Sequence, residues 1–339
     1  MGSGSSKVEP PVVVSSKIPL FCLKKLGPRH VLVAGGGGES KTGVLNLMQS
    51  YLITFGNRGV SKSTTPILAK LVETIDTDIY ATMNMDVVCC SNPENGRYLI
   101  AAGHGQYCDV YETTGYRSAK DESDNDALSL AIRSVGRLTT SEKVESFQKC
   151  VRFDRSTAGK RVVTGGEDGR IRVWNTRALV EDRSPETVHD PILDIEAHKS
   201  DVFDIDIALD GRIIISVGHD GQAKLWDMNL GTLIREIPFP NECPTGYKET
   251  HGIFVTAVEF LDRTAPDALS LVPQPTSGPL RQIPGPAACA RASLISLSAD
   301  QTIQVHNLPF ETRSPTMFLI KLFLLSLILY YVIWCLYLL

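Results

Sequence analysis

The chain has no run of lysine and arginine, no pair of cysteines in C-x-x-C spacing, and only one long apolar stretch. Each absence excludes something. With 34 basic against 38 acidic residues the formal net charge is −4, so the basic footprint that displaces counterions from nucleic-acid phosphates is missing. The eight cysteines are scattered from Cys22 to Cys335 and suggest neither a disulfide framework nor a zinc site. They read as reduced thiols used as small core residues. The N-terminus, MGSGSSKVEPPVVVSSK, has no apolar region long enough for a secretory signal, although MGSGSS fits a myristoylation pattern loosely. What is present is a globular composition, 43% hydrophobic and 21% charged, with enough apolar mass for a large core.

The one long apolar stretch runs from Met317 to Leu339, MFLIKLFLLSLILYYVIWCLYLL, with Lys321 its only charge. A helix needs about 20 apolar residues to cross a bilayer core, and this stretch supplies them. Lys321 lies near its start, where its stem reaches the headgroups. The expected organisation is a flexible N-terminus (1–17), a cytosolic domain (18–312), a short linker (313–316) and a single transmembrane anchor (317–339).

Internal repeats organise the rest. RVVTGGEDGRIRVWN (161–175), RIIISVGHDGQAKLWD (212–227) and SLISLSADQTIQVHN (293–307) align as apolar strand, small residues, aspartate turn and alternating strand. RYLIAAGHGQYCDVYE (97–112) is a weaker fourth copy without the turn aspartate. This is the blade pattern of an all-β, WD40-type β-propeller. The Asp168-Gly169 and Asp220-Gly221 pairs read as two-residue hairpin turns in which glycine supplies positive φ. His198, Ser216, Asp220 and Trp226 fall where such blades hold an internal hydrogen-bonded set. A catalytic triad drawn from His198, Ser216 and Asp220 is the poorer reading, because similar spacing recurs where no catalysis is needed.

Residues 31–46, VLVAGGGGESKTGVLN, come close to a phosphate-binding loop, with Gly35, Lys41 and Thr42 at the right spacing but Ser40 where glycine belongs. The following VLNLMQSYLITF favours a strand, whereas a phosphate loop opens a helix. Two readings of the glycine run stand, a loop turn with no partner and a backbone cage for a hard monovalent cation. Residue chemistry alone does not choose between them. The acidic AKDESDND (119–126) reads as a solvated excursion, and the proline- and glycine-rich 267–289 as an insertion between strands of the last blade.

AGGGGESKTGVLN (34–46), YATMNMD (80–86), GHDGQAKLWD (218–227), HGIFVTAVEFL (251–261) and the terminal apolar run occur in that order. In this the chain resembles the endoplasmic-reticulum exchange factors for the small GTPase that starts COPII coat assembly, the prolactin regulatory element-binding protein family. The resemblance covers roughly residues 18–339. It implies a cytosolic propeller of seven blades, held on the ER membrane by one C-terminal transmembrane helix. It implies a guanine nucleotide exchange factor for ER-to-Golgi export, without covalent chemistry and with no nucleic-acid partner. By motif position, Gly37, Gly38, Ser40, Lys41, Thr42, Gly43, Val44 and Asn46 would form the exchange loop that meets the GTPase. Gly35, Gly36, Gly37 and Gly38 would bind a potassium ion through backbone carbonyls.

One departure accompanies the resemblance. Only about five blades are visible, near residues 18–79, 80–115, 145–182, 192–237 and 251–312. The interval from Asp227 to His251 is too short for two more. A closed five-bladed ring is one solution, whereas blades with a seven-fold packing angle would leave an open gap and exposed strand edges there. The alternative function is a membrane-anchored WD40 scaffold that recruits cytosolic partners to the ER without exchange activity.

Overall fold

The computed structural model describes residues 12–40, 43–55, 67–120, 126–141, 146–181, 189–238, 255–261, 264–266, 282–285, 288, 292–298 and 302–308. Lys41, Thr42, residues 121–125, most of the 267–289 insertion and the apolar stretch 317–339 lie outside them. No described helix is long and apolar enough to cross a membrane.

Among the described residues, five four-stranded antiparallel sheets follow one another along the chain. Blade 1 is Leu20–Lys25, His30–Gly35, Leu47–Phe55 and Ile67–Asp76. Blade 2 is Asn84–Cys89, Tyr98–His104, Tyr107–Thr113 and Ile132–Thr139. Blade 3 is Gln148–Phe153, Arg161–Gly166, Arg170–Asn175 and Leu193–Glu196. Blade 4 is Val202–Ile207, Ile213–Gly218, Gln222–Asp227 and Leu233–Pro238. Blade 5 takes Val255–Leu261, Ala292–Ser298 and Thr302–Leu308 from one end of the chain, and its outer strand, Val12–Ser15, from the other. Residues 12–15 therefore pair with Thr302–Leu308 inside the propeller, although the sequence reading leaves them in a flexible tail. The outer strand of blade 2 likewise lies beyond the residues the repeat pattern assigns to it. Leu193–Glu196 closes blade 3 and does not open blade 4.

Strand alternation explains how the blades stack. Side chains of successive residues point to opposite faces of a sheet, and here both faces are covered. In the second strand of blade 1, Val31 and Val33 pack with Ile295, Leu297 and Val305 of blade 5. Leu32 and Ala34 of the same strand pack with Met85, Ile100 and Ala102 of blade 2. Val151, Phe153 and Trp174 join blade 3 to blade 2, and Val202, Ile205 and Trp226 join blade 4 to blade 3. The cores thus run in the order 5, 1, 2, 3, 4. Among the described residues no core cluster joins blade 4 to blade 5, and blade 4 leaves Phe203 65% exposed and Ile234 53% exposed. This is the side on which the sequence leaves room for too few residues. Cys22, Cys108 and Cys150 are buried free thiols, and burial pushes the Cys22 thiol up to about 12.

The aspartate turns differ slightly from expectation. Each holds three residues between strand ends, Glu167–Asp168–Gly169 and His219–Asp220–Gly221, with the glycines at φ 74° and 73°. A type I turn completed by a left-handed glycine is the usual three-residue solution.

Candidate functional site

The glycine-rich stretch leaves the end of His30–Gly35 and returns into Leu47–Phe55, whose first residue pairs with Gly35. It joins two antiparallel strands and does not open a helix, so the geometry of a phosphate-binding loop is absent.

The loop is held by one side chain. Asn46 is buried, and its Oδ1 accepts the Gly38 N–H at 2.8 Å. Its Nδ2 donates to the carbonyls of Gly38 at 3.2 Å and Asp78 at 3.0 Å. The Asn46 carbonyl accepts the Thr77 N–H at 3.0 Å. One amide therefore ties the glycine loop to the turn after blade 1, where Asp78 adopts a left-handed φ of 62°. The path requires glycine at Gly36 (φ 146°), where a Cβ would lie 2.6 Å from the Asn46 Cα. Gly38 (φ 69°) faces open space, so only its backbone conformation restricts it.

Gly35 and Gly36 are buried, Gly37 and Gly38 are half-buried, and Ser40 and Gly43 are exposed. The Ser40 hydroxyl donates to the Gly37 carbonyl at 2.6 Å. Val44 is half-buried against the core shared by blades 1 and 5. The oxygens offered here are neutral, and Glu39 is the only carboxylate between Gly35 and Asn46. Among the described residues, the Gly37 carbonyl accepts from Ser40 and the Gly38 carbonyl from Asn46, and a carbonyl oxygen has two lone pairs. That donor set suits a hard cation of low charge. Among the described residues no group of three or more His, Cys, Asp or Glu side chains is placed to hold a metal.

Around the loop lies an apolar rim that the sequence reading did not assign. Leu45 is 62% exposed, Ile79 and Met83 are 52% exposed, and Phe147 is 49% exposed. A cleft of about 510 Å³ lies against Gly38 and Glu39, lined also by Tyr80, Met83, Phe147 and Lys149. Asn84 and Gln148 brace it from beneath, the Asn84 Nδ2 donating to the Gln148 carbonyl at 3.0 Å and the Gln148 Nε2 to the Asn84 Oδ1 at 2.9 Å. Tyr80 stacks on the buried His104, rings parallel within 1° at 5.7 Å. The signal was available, since Tyr80 to Asn84 lie within the YATMNMD stretch. What hid it is that apolar residues at a turn read as strand ends.

The set at His198 is structural. His198 Nδ1 lies 3.0 Å from Asp220, and Nε2 lies 2.8 Å from the Ser216 hydroxyl. That hydroxyl also accepts the Trp226 Nε1–H at 2.9 Å. Ser216 is fully buried, so no substrate reaches it. Burial lowers the His198 pKa against the opposing pull of Asp220. Blade 2 holds a variant in which Asp109 lies between His104 and Arg137. Burial raises the Asp109 carboxyl, but Arg137 and His104 outweigh it and hold its pKa at about 2.

Residues 145–175 and 189–227 match the family model for the WD domain, G-beta repeat. The chain is 24% identical over 237 residues to the guanine nucleotide-exchange factor SEC12 of Mus musculus, covering 61% of this chain and 50% of that protein. It is 25% identical over 248 residues to SEC12 of Rattus norvegicus, covering 67% and 54%. A third relative, apoptotic protease-activating factor 1 of Rattus norvegicus, is 26% identical over 151 residues, 44% of this chain and 11% of that one. The chain spans about half the length of the two SEC12 proteins. Its repeats are of the WD40 kind, and over about two thirds of its length it is similar to the SEC12 exchange factors.

Proposed function

We propose that the chain is a guanine nucleotide exchange factor that speeds GDP release from the small GTPase starting COPII coat assembly, working from the cytosolic side of the ER membrane. The observation that carries this is the glycine loop itself, pinned by Asn46 and surrounded by exposed Leu45, Ile79 and Met83. A loop held at its base by Asn46 within an apolar collar is suited to a protein partner. The SEC12 relatives supply the activity by name.

The loop needs no nucleophile, acid or base for this work. A partner that binds the nucleotide-free GTPase more tightly than the GDP-bound one shifts the equilibrium by that difference in affinity. Pre-organisation matters because a loop already fixed spends less binding energy on ordering itself. A potassium ion held by backbone carbonyls of Gly35 to Gly38 would stiffen the loop further. Ser40, Lys41, Thr42 and Gly43 would meet the GTPase, with Val44 and Asn46 anchoring the return of the loop.

The test is release of a fluorescent GDP from that GTPase with and without the full chain, in potassium and again in sodium. Acceleration that weakens in sodium is expected. No acceleration by protein whose folding has been verified would instead favour the scaffold function.

A further inference from the structure

The two faces of the propeller differ in charge, and the chain path decides which one meets a membrane. In every blade the connection from first to second strand lies on one face, and that from second to third on the other. The glycine loop is a second-to-third connection. Thr302–Leu308 is the third strand of blade 5, with Leu308 paired to Ala292 at the start of the second. The chain therefore leaves its last described strand on the face opposite the glycine loop. Eight residues, 309–316, separate Leu308 from the apolar stretch. Fully extended they span at most roughly 28 Å.

The first-to-second connections on that face bring Lys25, Arg29, Arg97, Arg155, Lys160 and Arg212 around the inner ring. Among the described residues of these connections, Glu94 and Asp210 are the acids that are not buried. Asp154 is covered and paired to Arg161, Arg155 reaches the buried Asp86, and Arg212 lies 3.9 Å from Asp210. Further out, the third-to-fourth connections add Arg117, a Lys120–Asp126 pair and an Arg177–Glu181 pair, with Asp190 and Asp227 as further acids. The excess of positive charge is thus concentrated on the inner ring. The glycine-loop face has the opposite balance. Glu39, Asp76 and Asp78 flank the loop, and Glu167 and Asp201 gather around Lys149, with Lys17 and Lys199 as further cations on this face.

The geometry points to the basic face as a docking surface for anionic lipid headgroups, so that the propeller lies on the membrane with its glycine loop pointing into the cytosol. This rests on residues 317–339 being the anchor and is independent of exchange activity. A short tether brings the basic loops within reach of the surface, where its negative potential acts over about a Debye length. The acidic face is repelled from the same surface.

The experiment reconstitutes the full chain into vesicles of phosphatidylcholine alone, or with phosphatidylserine added. Lysines are labelled with an amine-reactive ester and read out by mass spectrometry. Lys25 and Lys160 report on the basic face, and Lys17 and Lys199 on the other. Labelling of the first pair should slow about threefold or more when phosphatidylserine is present, with the second pair unchanged. The doubly substituted chain Arg97→Glu/Arg212→Glu, which keeps the reporter lysines, should lose most of that contrast. Equal labelling in both lipids, protection of Lys17 and Lys199 instead, or a contrast that survives the charge reversal would each overturn the docking surface. A chain that fails to float with vesicles would overturn the anchor and the docking surface together, while leaving the exchange assay untouched.

Discussion

Asn46 grips Gly38 by both ends of its peptide environment, accepting from its N–H at 2.8 Å and donating to its carbonyl at 3.2 Å. Such a two-way bond fixes the glycine's orientation as well as its position. The third bond, to the Asp78 carbonyl, carries the constraint to the next turn.

Replacing Asn46 with alanine removes all three bonds and leaves the partners to find water. Each unmet buried group costs about 1–3 kcal/mol. The loss falls on the loop, since the blade cores do not include Asn46. Exchange should drop by at least about tenfold, equivalent to roughly 1.4 kcal/mol of barrier, while the thermal midpoint of the propeller changes little. Asn46→Asp is the sharper variant. It keeps the acceptor for Gly38 N–H but points an anionic oxygen at two carbonyls, so it should behave no better than alanine. Activity near normal in Asn46→Asp would remove the amide from its proposed role.

Gly36 and Gly38 separate two causes of glycine dependence. At Gly36 an added Cβ meets the Asn46 backbone, so Gly36→Ala must displace the clamp itself. At Gly38 the space is open, and the cost is only that of a left-handed alanine, about 1–2 kcal/mol. Hydrogen exchange across residues 36–46 should therefore speed strongly in Gly36→Ala and modestly in Gly38→Ala. The same order should hold in the GDP-release assay.

How much of this was legible in the sequence depends on the distance over which each feature is determined. The positions of the Asp168-Gly169 and Asp220-Gly221 turns are local and were readable, though each holds three residues and not two. The hydrogen-bonded set around Ser216 was readable too, since its members recur at blade spacing. The strand after the glycine loop was readable from its β-branched and aromatic residues. Val12–Ser15 was not, because its partner Thr302–Leu308 lies at the other end of the chain and only ring closure brings them together. The outer strand of blade 2, Ile132–Thr139, follows a hairpin insertion that interrupts the repeat. The loop glycines suggested a special backbone, but the role of Asn46 in fixing it was visible only in the fold, as was the approach of Phe147 to Met83 of the YATMNMD stretch.

His30 gives the fold a pH dependence of known sign. Burial, reinforced by Arg29, lowers its pKa to about 4 against the bond to the Leu128 carbonyl at 2.6 Å. The unfolded chain protonates near pH 6.5. Between these values the unfolded state binds more protons, so stability falls as the pH drops from about 6.5 towards 4. The contribution lost is roughly 3 kcal/mol, since each tenfold change in proton affinity between the folded and unfolded chain is worth about 1.4 kcal/mol. Urea midpoints of the wild-type chain and His30→Gln, measured from pH 7 down to 4.5, should converge as the pH falls. Parallel curves would mean that His30 is not the titrating group.

Asp86 joins three blades at one carboxylate. It lies on the first strand of blade 2, fully buried, and accepts the Phe153 N–H of blade 3 at 2.8 Å. Arg155 reaches it at 3.2 Å and Lys24 of blade 1 at 3.8 Å. A buried carboxylate is tolerable only because these donors surround it. Asp86→Ala strands the Phe153 N–H and leaves two cations facing a cavity. Breaking a buried pair costs about 3–5 kcal/mol, and partial solvation of Arg155 and Lys24 places this variant nearer 2–4 kcal/mol. Asp86→Asn keeps an acceptor for Phe153 and should lose only about 1 kcal/mol. Neither touches the glycine loop, so the exchange rate per folded molecule should stay at the wild-type value while the urea midpoint falls in the order wild type, Asn, Ala. A large drop in exchange by folded Asp86→Asn would show instead that inter-blade geometry at this carboxylate is transmitted to the loop on the opposite face.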